Sequence, residues 1–248
     1  MPKGAFRYLI KHEIIAEMGR IRQGKWIWFY AVFILLLAGA SVAVWGYDEN
    51  YDPSYFLFTA YMFPFMIFGF AVRTLKREWN GGTSGWWLTL PYSRVLLLGA
   101  KAIAAFVQIV ACMVVYFAIV MLLGVYSRIM FGARVTSISG LFDLEAQLFA
   151  VLLGIVPLML VIGLLIVAVR RSRMKWLVPL LWIVMGVGGN LSGWMMTGGG
   201  GLIIAGTEKE LALISYPPSL WIWIVPVWAV AALLFAATVR VCNKHLQA

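Results

Sequence analysis

Residues 147–169 of this chain read QLFAVLLGIVPLMLVIGLLIVAV, and residues 170–175, which follow directly, read RRSRMK. The first stretch contains no acidic or basic side chain and is long enough for a helix that crosses a bilayer, which takes about 20 residues. The second stretch is a cluster of lysine and arginine. An apolar run that ends in basic residues is typical of a transmembrane helix at the cytoplasmic surface.

Five other stretches of the chain have the same character. Hydrophobic residues make up 63% of the sequence and charged residues only 12%, against about 25% charged in soluble domains. Six buried helices could not all be covered in a soluble protein of this size, because too little polar surface would remain. The sequence therefore predicts an all-α integral membrane protein with six transmembrane helices, at about 26–46, 55–72, 102–127, 147–169, 176–196 and 220–239.

The charged residues are sorted between the two sides of these six spans. Seventeen of the twenty basic residues lie before the first span, between the second and third, between the fourth and fifth, or after the sixth. Seven of the ten acidic residues lie on the other side, where Asp143 and Glu145 would stand at the start of the fourth helix. Because basic loops stay cytoplasmic, both termini are predicted to be cytoplasmic. Four separate basic segments do not form one patch, so nucleic acid is not expected as a partner.

Residues 1–25 form a basic leader before the membrane domain of residues 26–248. Apolar side chains recur in the leader at helical spacing, among them Phe6, Leu9, Ile14 and Met18. This pattern predicts an amphipathic helix lying along the cytoplasmic interface, and the alternative is a solvated basic leader.

The spans lack the residues that catalysis or ion coupling would need. No ionisable side chain lies inside them, whereas proton relays and ion-coupled carriers generally keep one there. Gly19, Gly24 and Lys25 have P-loop spacing, but Trp26 replaces the Ser or Thr that would hold magnesium, and no strand precedes them. We therefore expect no catalytic, cofactor or metal site in this chain, and any ATP hydrolysis on another subunit.

The cytoplasmic connection of residues 73–101 is the most specific segment. Thr83 or Ser84 can begin a short helix and Pro91 can end it. Between them stand four large apolar residues, which a solvated loop would not leave exposed: Trp86, Trp87, Leu88 and Leu90. This surface is covered either by lipid headgroups or by another protein.

The same connection resembles that of the ABC-2 type transporter permeases. Its elements follow in order: an acidic residue, a Gly-Thr pair, a short apolar helix, Leu-Pro-x-Ser-Arg and a later lysine. Here they are Glu78, Gly82-Thr83, Trp86–Leu90, Pro91 with Ser93-Arg94, and Lys101. Trp86 and Trp87 depart from the more usual aliphatic residues.

The resemblance implies the transmembrane half of an exporter in a bacterial plasma membrane. Its partners would be a second permease chain, as a homodimer or heterodimer, and a cytosolic ABC ATPase that carries ATP and magnesium. The segment would be the coupling helix that docks into that ATPase, and the short 170–175 loop would be a second contact or only a basic loop that sets the topology. The docking residues would be Glu78, Gly82, Thr83, Trp86, Trp87, Leu88, Leu90 and Arg94.

Two further questions stay open at this point. Residues 197–219, with four glycines at 198–201, fit either half-helices that re-enter the outer leaflet or a plain loop. The aromatic and Met-rich spans favour amphipathic or hydrophobic cargo, with peptide toxins or antimicrobial peptides ahead of lipid-linked substrates and drugs. The alternatives are a non-transporting scaffold or sensor, and a secondary carrier that works without ATP.

Overall fold

A computed structural model describes residues 4–23, 25–46, 56, 59–60, 62–82, 91–132, 137–183, 186 and 219–244. All regular structure in these ranges is helical. The helices are α1 (Ala5–Gln23), α2 (Lys25–Trp45), α3 (Phe63–Asn80), α4 (Arg94–Phe131), α5 (Ile138–Arg170) and α6 (Ser219–Lys244), with a short 3₁₀ turn at Lys175–Leu177. The prediction of an all-helical fold is therefore confirmed.

Three of the described helices are both long and apolar enough to cross a membrane. They are Arg94–Phe131, Ile138–Arg170 and the part of α6 from Ile222 to Lys244, and a shorter apolar helical stretch covers Val32–Trp45. The total of six spans and the cytoplasmic position of the termini stay predictions. Of the predicted fifth span, only residues 176–183 and 186 are described, and the outer segment 197–218 lies outside the described residues.

Helix α5 lies at the centre of the described helices. It packs against α3 on one side and against α6 on another. A glycine at each contact allows close approach: a Cβ at Gly163 would lie 2.6 Å from the Cβ of Ala71, and one at Gly154 would lie 3.0 Å from Ile224. The indole nitrogen of Trp228 also donates to the Gly154 carbonyl at 3.0 Å. Small residues at helix contacts are how membrane helices gain close packing, because lipid exerts no hydrophobic force between them.

The basic leader is a helix over Ala5–Gln23, and it packs along the start of α4. The ring of Phe6 comes within 3.8 Å of the Cβ position of Gly99. Several apolar side chains on other parts of α1 are exposed, including Tyr8, Ile15 and Met18. The leader thus contacts the other helices directly, and its location at the membrane interface stays a prediction.

Helix α5 begins earlier than the apolar run from which it was predicted. Ser137 caps it by accepting a hydrogen bond from the Gly140 N–H at 3.1 Å. Asp143 and Glu145 therefore lie inside the helix, beyond its first turn, which contains no acidic residue. The expectation that they open the helix is wrong, because the capping serine starts it nine residues before Gln147.

Candidate functional site

A buried lysine joins three helices at the predicted cytoplasmic end of the protein. The Nζ atom of Lys101 lies 2.6 Å from Oε1 of Glu13 and 2.7 Å from Oε1 of Glu78. Only 1% of the Lys101 side chain is exposed. Since Glu13 belongs to α1, Glu78 to α3 and Lys101 to α4, one ammonium group connects all three helices.

An arginine extends this contact into a network of five charged groups. Arg77 donates to the carboxylate of Glu17, and its Nη2 lies 3.6 Å from Oε2 of Glu13. Glu13 therefore contacts both cations. We call Glu13, Glu17, Arg77, Glu78 and Lys101 the ionic network.

Local helix geometry places these residues together. Glu13 and Glu17 are four residues apart on α1 and so lie on one face of that helix. Arg77 and Glu78 are neighbours in the last turn of α3, and Lys101 lies seven residues after the start of α4. The C-terminal end of α3 and the N-terminal part of α4 thus meet the same face of α1.

Burial decides how firmly this network holds the three helices in one arrangement. A charge removed from water costs several kcal/mol unless partners compensate it. Lys101 is almost fully buried and has two carboxylate partners, which compensate its ammonium group for the loss of water. The network therefore fixes one mutual arrangement of the three helices more strongly than exposed ion pairs would, which contribute only about 0–1 kcal/mol each.

The network lies where the chain leaves α3 and where it enters α4. After α3, the Gly81 N–H donates to the Arg77 carbonyl at 2.8 Å, and Gly82 has a φ of 68°, a left-handed conformation that favours glycine. Before α4, the Ser93 hydroxyl accepts a hydrogen bond from the Leu96 N–H at 3.4 Å and caps the helix. Both ends of the predicted coupling segment are thus defined by the structure.

The structure describes three of the eight residues predicted to dock. Glu78 belongs to the ionic network, Gly82 forms the turn after α3, and Arg94 is the first residue of α4. The Nη1 atom of Arg94 is buried and has no hydrogen-bond partner among the described residues. The other five, Thr83, Trp86, Trp87, Leu88 and Leu90, lie outside the described residues.

The second predicted cytoplasmic loop contacts the end of α3. The Nη2 atom of Arg171 lies 3.5 Å from Oδ1 of Asn80, at the long limit for a hydrogen bond. Within that loop, Ser172 donates to the Val169 carbonyl at 2.9 Å and accepts from the Met174 N–H at 3.0 Å. The loop after α5 is therefore ordered by its own hydrogen bonds and lies beside the ionic network.

Sequence reasoning did not find the part played by Glu13, Glu17 and Arg77. One signal was present in the sequence. Seven of the ten acidic residues fall on the predicted outer side, and the remaining three are Glu13, Glu17 and Glu78. All acidic residues on the predicted cytoplasmic side thus belong to the ionic network. Each of them contacts Arg77 or Lys101, as a structural role would require.

Three long apolar helices, with the ionic network outside the apolar stretches, define a helical, multi-pass membrane protein. Residues 13–189 match the model of a family described as ABC-2 family transporter protein. The match covers more than half of the chain, so the chain belongs to this family of membrane permease subunits of ABC transporters. The matched range begins at Glu13 and contains the whole ionic network. The comparisons with curated proteins and with solved structures gave no match.

Proposed function

We propose that this chain is the transmembrane subunit of an ATP-driven exporter, and that the segment between α3 and α4 docks into a separate cytosolic ATPase. The observation that carries the proposal is the buried Lys101, which joins α1, α3 and α4 directly beside that segment. A movement of the segment would be passed to three helices at once. Family membership supports the same assignment.

The proposed mechanism uses binding energy from nucleotide-driven closure of the ATPase subunits. Closure would displace the docked segment, and the turn at Gly82 and the cap at Ser93 would pass that displacement to α3 and α4. Because Glu13 bridges Lys101 and Arg77, α1 would move with them. The chain itself supplies no catalytic group in this mechanism, and ATP and magnesium are bound by the partner.

The pathway for cargo would form between two copies of the permease or between this chain and a related one. The described faces of α2 and α6 present large apolar side chains, among them Phe33, Leu36, Ile222 and Trp223. Such walls fit amphipathic or hydrophobic cargo, for which a peptide toxin or antimicrobial peptide is the favoured candidate.

The docking proposal is tested by co-purification with the candidate ATPase. Replacing Trp86 and Trp87 together with Asp is expected to abolish co-purification while the chain still reaches the membrane. Trp176→Asp is the control, since Trp176 is an exposed tryptophan at the start of the predicted fifth span, directly after the other predicted cytoplasmic loop. Retained co-purification of the double variant would refute docking through this segment.

Transport is tested in inverted membrane vesicles, whose cytoplasmic face is turned outward, with ATP added to the outer medium. ATP-dependent accumulation of a labelled amphipathic peptide, insensitive to a protonophore, is expected of an exporter. Accumulation driven by a proton or sodium gradient without ATP would instead identify a secondary carrier. ATP hydrolysis by the complex that no cargo stimulates would favour a scaffold or sensor.

A further inference from the structure

A cleft lies at the C-terminal end of α6, and none of its lining residues belongs to the ionic network. Its volume is about 360 Å³, near the lower end of the range for ligand sites in proteins. The cleft is formed by one face of the last three turns of α6 and by one residue of the loop after α5. The lining residues are Met174, Leu233, Ala236, Ala237, Arg240, Val241 and Lys244.

The lining has an apolar part and a cationic part. Leu233, Ala236 and Ala237 form the apolar part. The side chains of the two alanines are small, and a groove therefore remains between their larger neighbours. Arg240 and Lys244 are four residues apart on the helix and so project from one face. Both are exposed, and neither forms an ion pair within the described ranges.

The apolar part of the cleft fits within one leaflet of a bilayer. From Leu233 to Val239 the helix rises about 9 Å, and one leaflet of the hydrocarbon core is about 15 Å thick. The sixth predicted span ends at residue 239, immediately before Arg240. The cations would therefore lie at the inner headgroup level, with Leu233 and Ala236 deeper in the hydrocarbon.

We propose that this cleft binds an anionic glycerophospholipid of the inner leaflet. The lipid phosphate would contact Arg240 and Lys244, and the first part of an acyl chain would lie along Leu233, Ala236 and Ala237. The proposal depends on the cytoplasmic position of the C-terminus and not on the ATPase partner. It assigns the cleft a ligand of one chemical class, a diacyl lipid with net negative charge.

The charges of the chain favour this occupant over a second copy of the protein. On the predicted cytoplasmic side the only acidic residues are Glu13, Glu17 and Glu78, and all three contact Arg77 or Lys101. A second copy would bring further basic residues to the two cations of the cleft. A soluble phosphate would satisfy the cations but leave the apolar part empty.

Lipid retention by the purified full-length chain tests the proposal. The chain, extracted in detergent, is offered equal amounts of phosphatidylglycerol and phosphatidylcholine with the same acyl chains, and the bound lipid is counted by native mass spectrometry. Preferential retention of phosphatidylglycerol is expected. Replacing Arg240 and Lys244 with Gln should reduce the retention of phosphatidylglycerol about fivefold for each cation removed. One cation near an anionic lipid surface contributes about 1 kcal/mol to binding.

The double variant R73Q/K76Q is the matched control for net charge. Arg73 and Lys76 are exposed cations on α3, outside the cleft, and retention should not change in this variant. An equal loss in the two double variants would overturn the proposal in favour of unspecific charge attraction. Equal retention of both lipids by the unaltered chain, or displacement of the lipid by glycerol 3-phosphate, would overturn it as well.

A second variant tests the apolar part with both cations in place. Ala236→Phe fills the groove and is expected to reduce phosphatidylglycerol retention, while Val230→Phe, at an exposed position that lies on a different face of the helix from Ala236 and does not line the cleft, is not. The two variants are compared at equal monomer content, measured in the same spectra. If Ala236→Phe instead dissociates a dimer and leaves lipid retention unchanged, the cleft is a contact between copies of the chain.

Discussion

Lys101 and Glu78 join the two helices that enclose the predicted coupling segment, through a contact of 2.7 Å between Nζ and Oε1. The two residues are 23 positions apart in the sequence, and the segment lies between them. Because Lys101 also contacts Glu13, α1 belongs to the same unit. Altering this contact should change both the stability of the helix arrangement and the transmission of movement through it.

The first prediction concerns removal of the buried cation. Lys101→Met leaves Glu13 and Glu78 without this partner, and breaking a buried ion pair from one side costs about 3–5 kcal/mol. The thermal midpoint of the detergent-purified chain should fall markedly. Lys76→Met, which removes an exposed lysine from α3, is the control and should leave the midpoint nearly unchanged. Equal midpoints in the two variants would contradict a structural role for Lys101.

A second prediction separates stability from transmission. Replacing Lys101, Glu13 and Glu78 together with Met removes Lys101 and both of its carboxylate partners and leaves the Arg77–Glu17 pair in place. Replacing a buried ionic cluster as a set is often neutral or stabilising. The triple variant should recover much of the stability lost in Lys101→Met. Under the proposed function, ATP hydrolysis by the complex of this variant with the ATPase should no longer respond to cargo. Full cargo-stimulated hydrolysis in the triple variant would show that the network only stabilises the fold.

The pair formed by Arg77 and Glu17 offers a quantitative test of how α1 is held. Both side chains are largely buried, with 26% and 11% of their surfaces exposed. A double-mutant cycle with Arg77→Gln and Glu17→Gln should give a coupling free energy of about 1–3 kcal/mol. The free energies come from unfolding of the purified chain in denaturing detergent. A coupling near zero would mean that the Arg77–Glu17 pair does not help to hold α1.

Gly163 is predicted to be sensitive to the smallest possible side chain. Gly163→Ala would place its Cβ 2.6 Å from Ala71 and 3.0 Å from the Phe68 carbonyl oxygen, so α3 and α5 must separate, at a cost of about 1–3 kcal/mol. Gly69→Ala on α3 meets nothing within 4 Å and should be neutral or slightly stabilising, because alanine favours helix. Thermal midpoints of the two variants distinguish these outcomes, and a lower midpoint for Gly69→Ala alone would contradict this packing.

Glu145 is a buried acidic residue whose oxygens have no hydrogen-bond partner within the described ranges, with 1% of the residue exposed. An unsatisfied buried polar group destabilises a fold by about 1–3 kcal/mol. Glu145→Leu is therefore expected to raise the thermal midpoint. Asp143→Asn, at an exposed position two residues earlier, should not change it. A lower midpoint for Glu145→Leu would indicate that a partner outside the described residues satisfies this carboxyl group.

The apolar runs predicted the helices because a charge-free stretch of that length rarely adopts another structure in a protein. They did not define where the helices begin and end. Helix α4 begins at Arg94, eight residues before the predicted span, because Ser93 caps it. Likewise, α5 begins at Ile138 because Ser137 caps it, which brings Glu145 inside a helix. Hydropathy does not report such caps when the first turns contain polar or charged residues.

The candidate site was only partly visible in the sequence for a different reason. Glu78 and Lys101 were found as elements of a motif, but Glu13 lies 88 residues from Lys101. Periodicity reports which face of one helix a residue occupies, and it carries no information on which helices meet. The pairing of α1 with α3 and α4 depends on the tertiary arrangement, which only the structure provides.

Helix α4 runs without interruption from Ser93, its cap, to Phe131, over 38 residues, and contains no proline, unlike α5 with Pro157 and α6 with Pro226. Its length is about 57 Å, nearly twice the thickness of the hydrocarbon core. Such a helix acts as a rigid lever. A tilt of about 10° imposed at the Lys101 end would displace the Phe131 end by about 8 Å, so under the proposed function a small rotation on one side of the membrane would be enough to open a passage on the other.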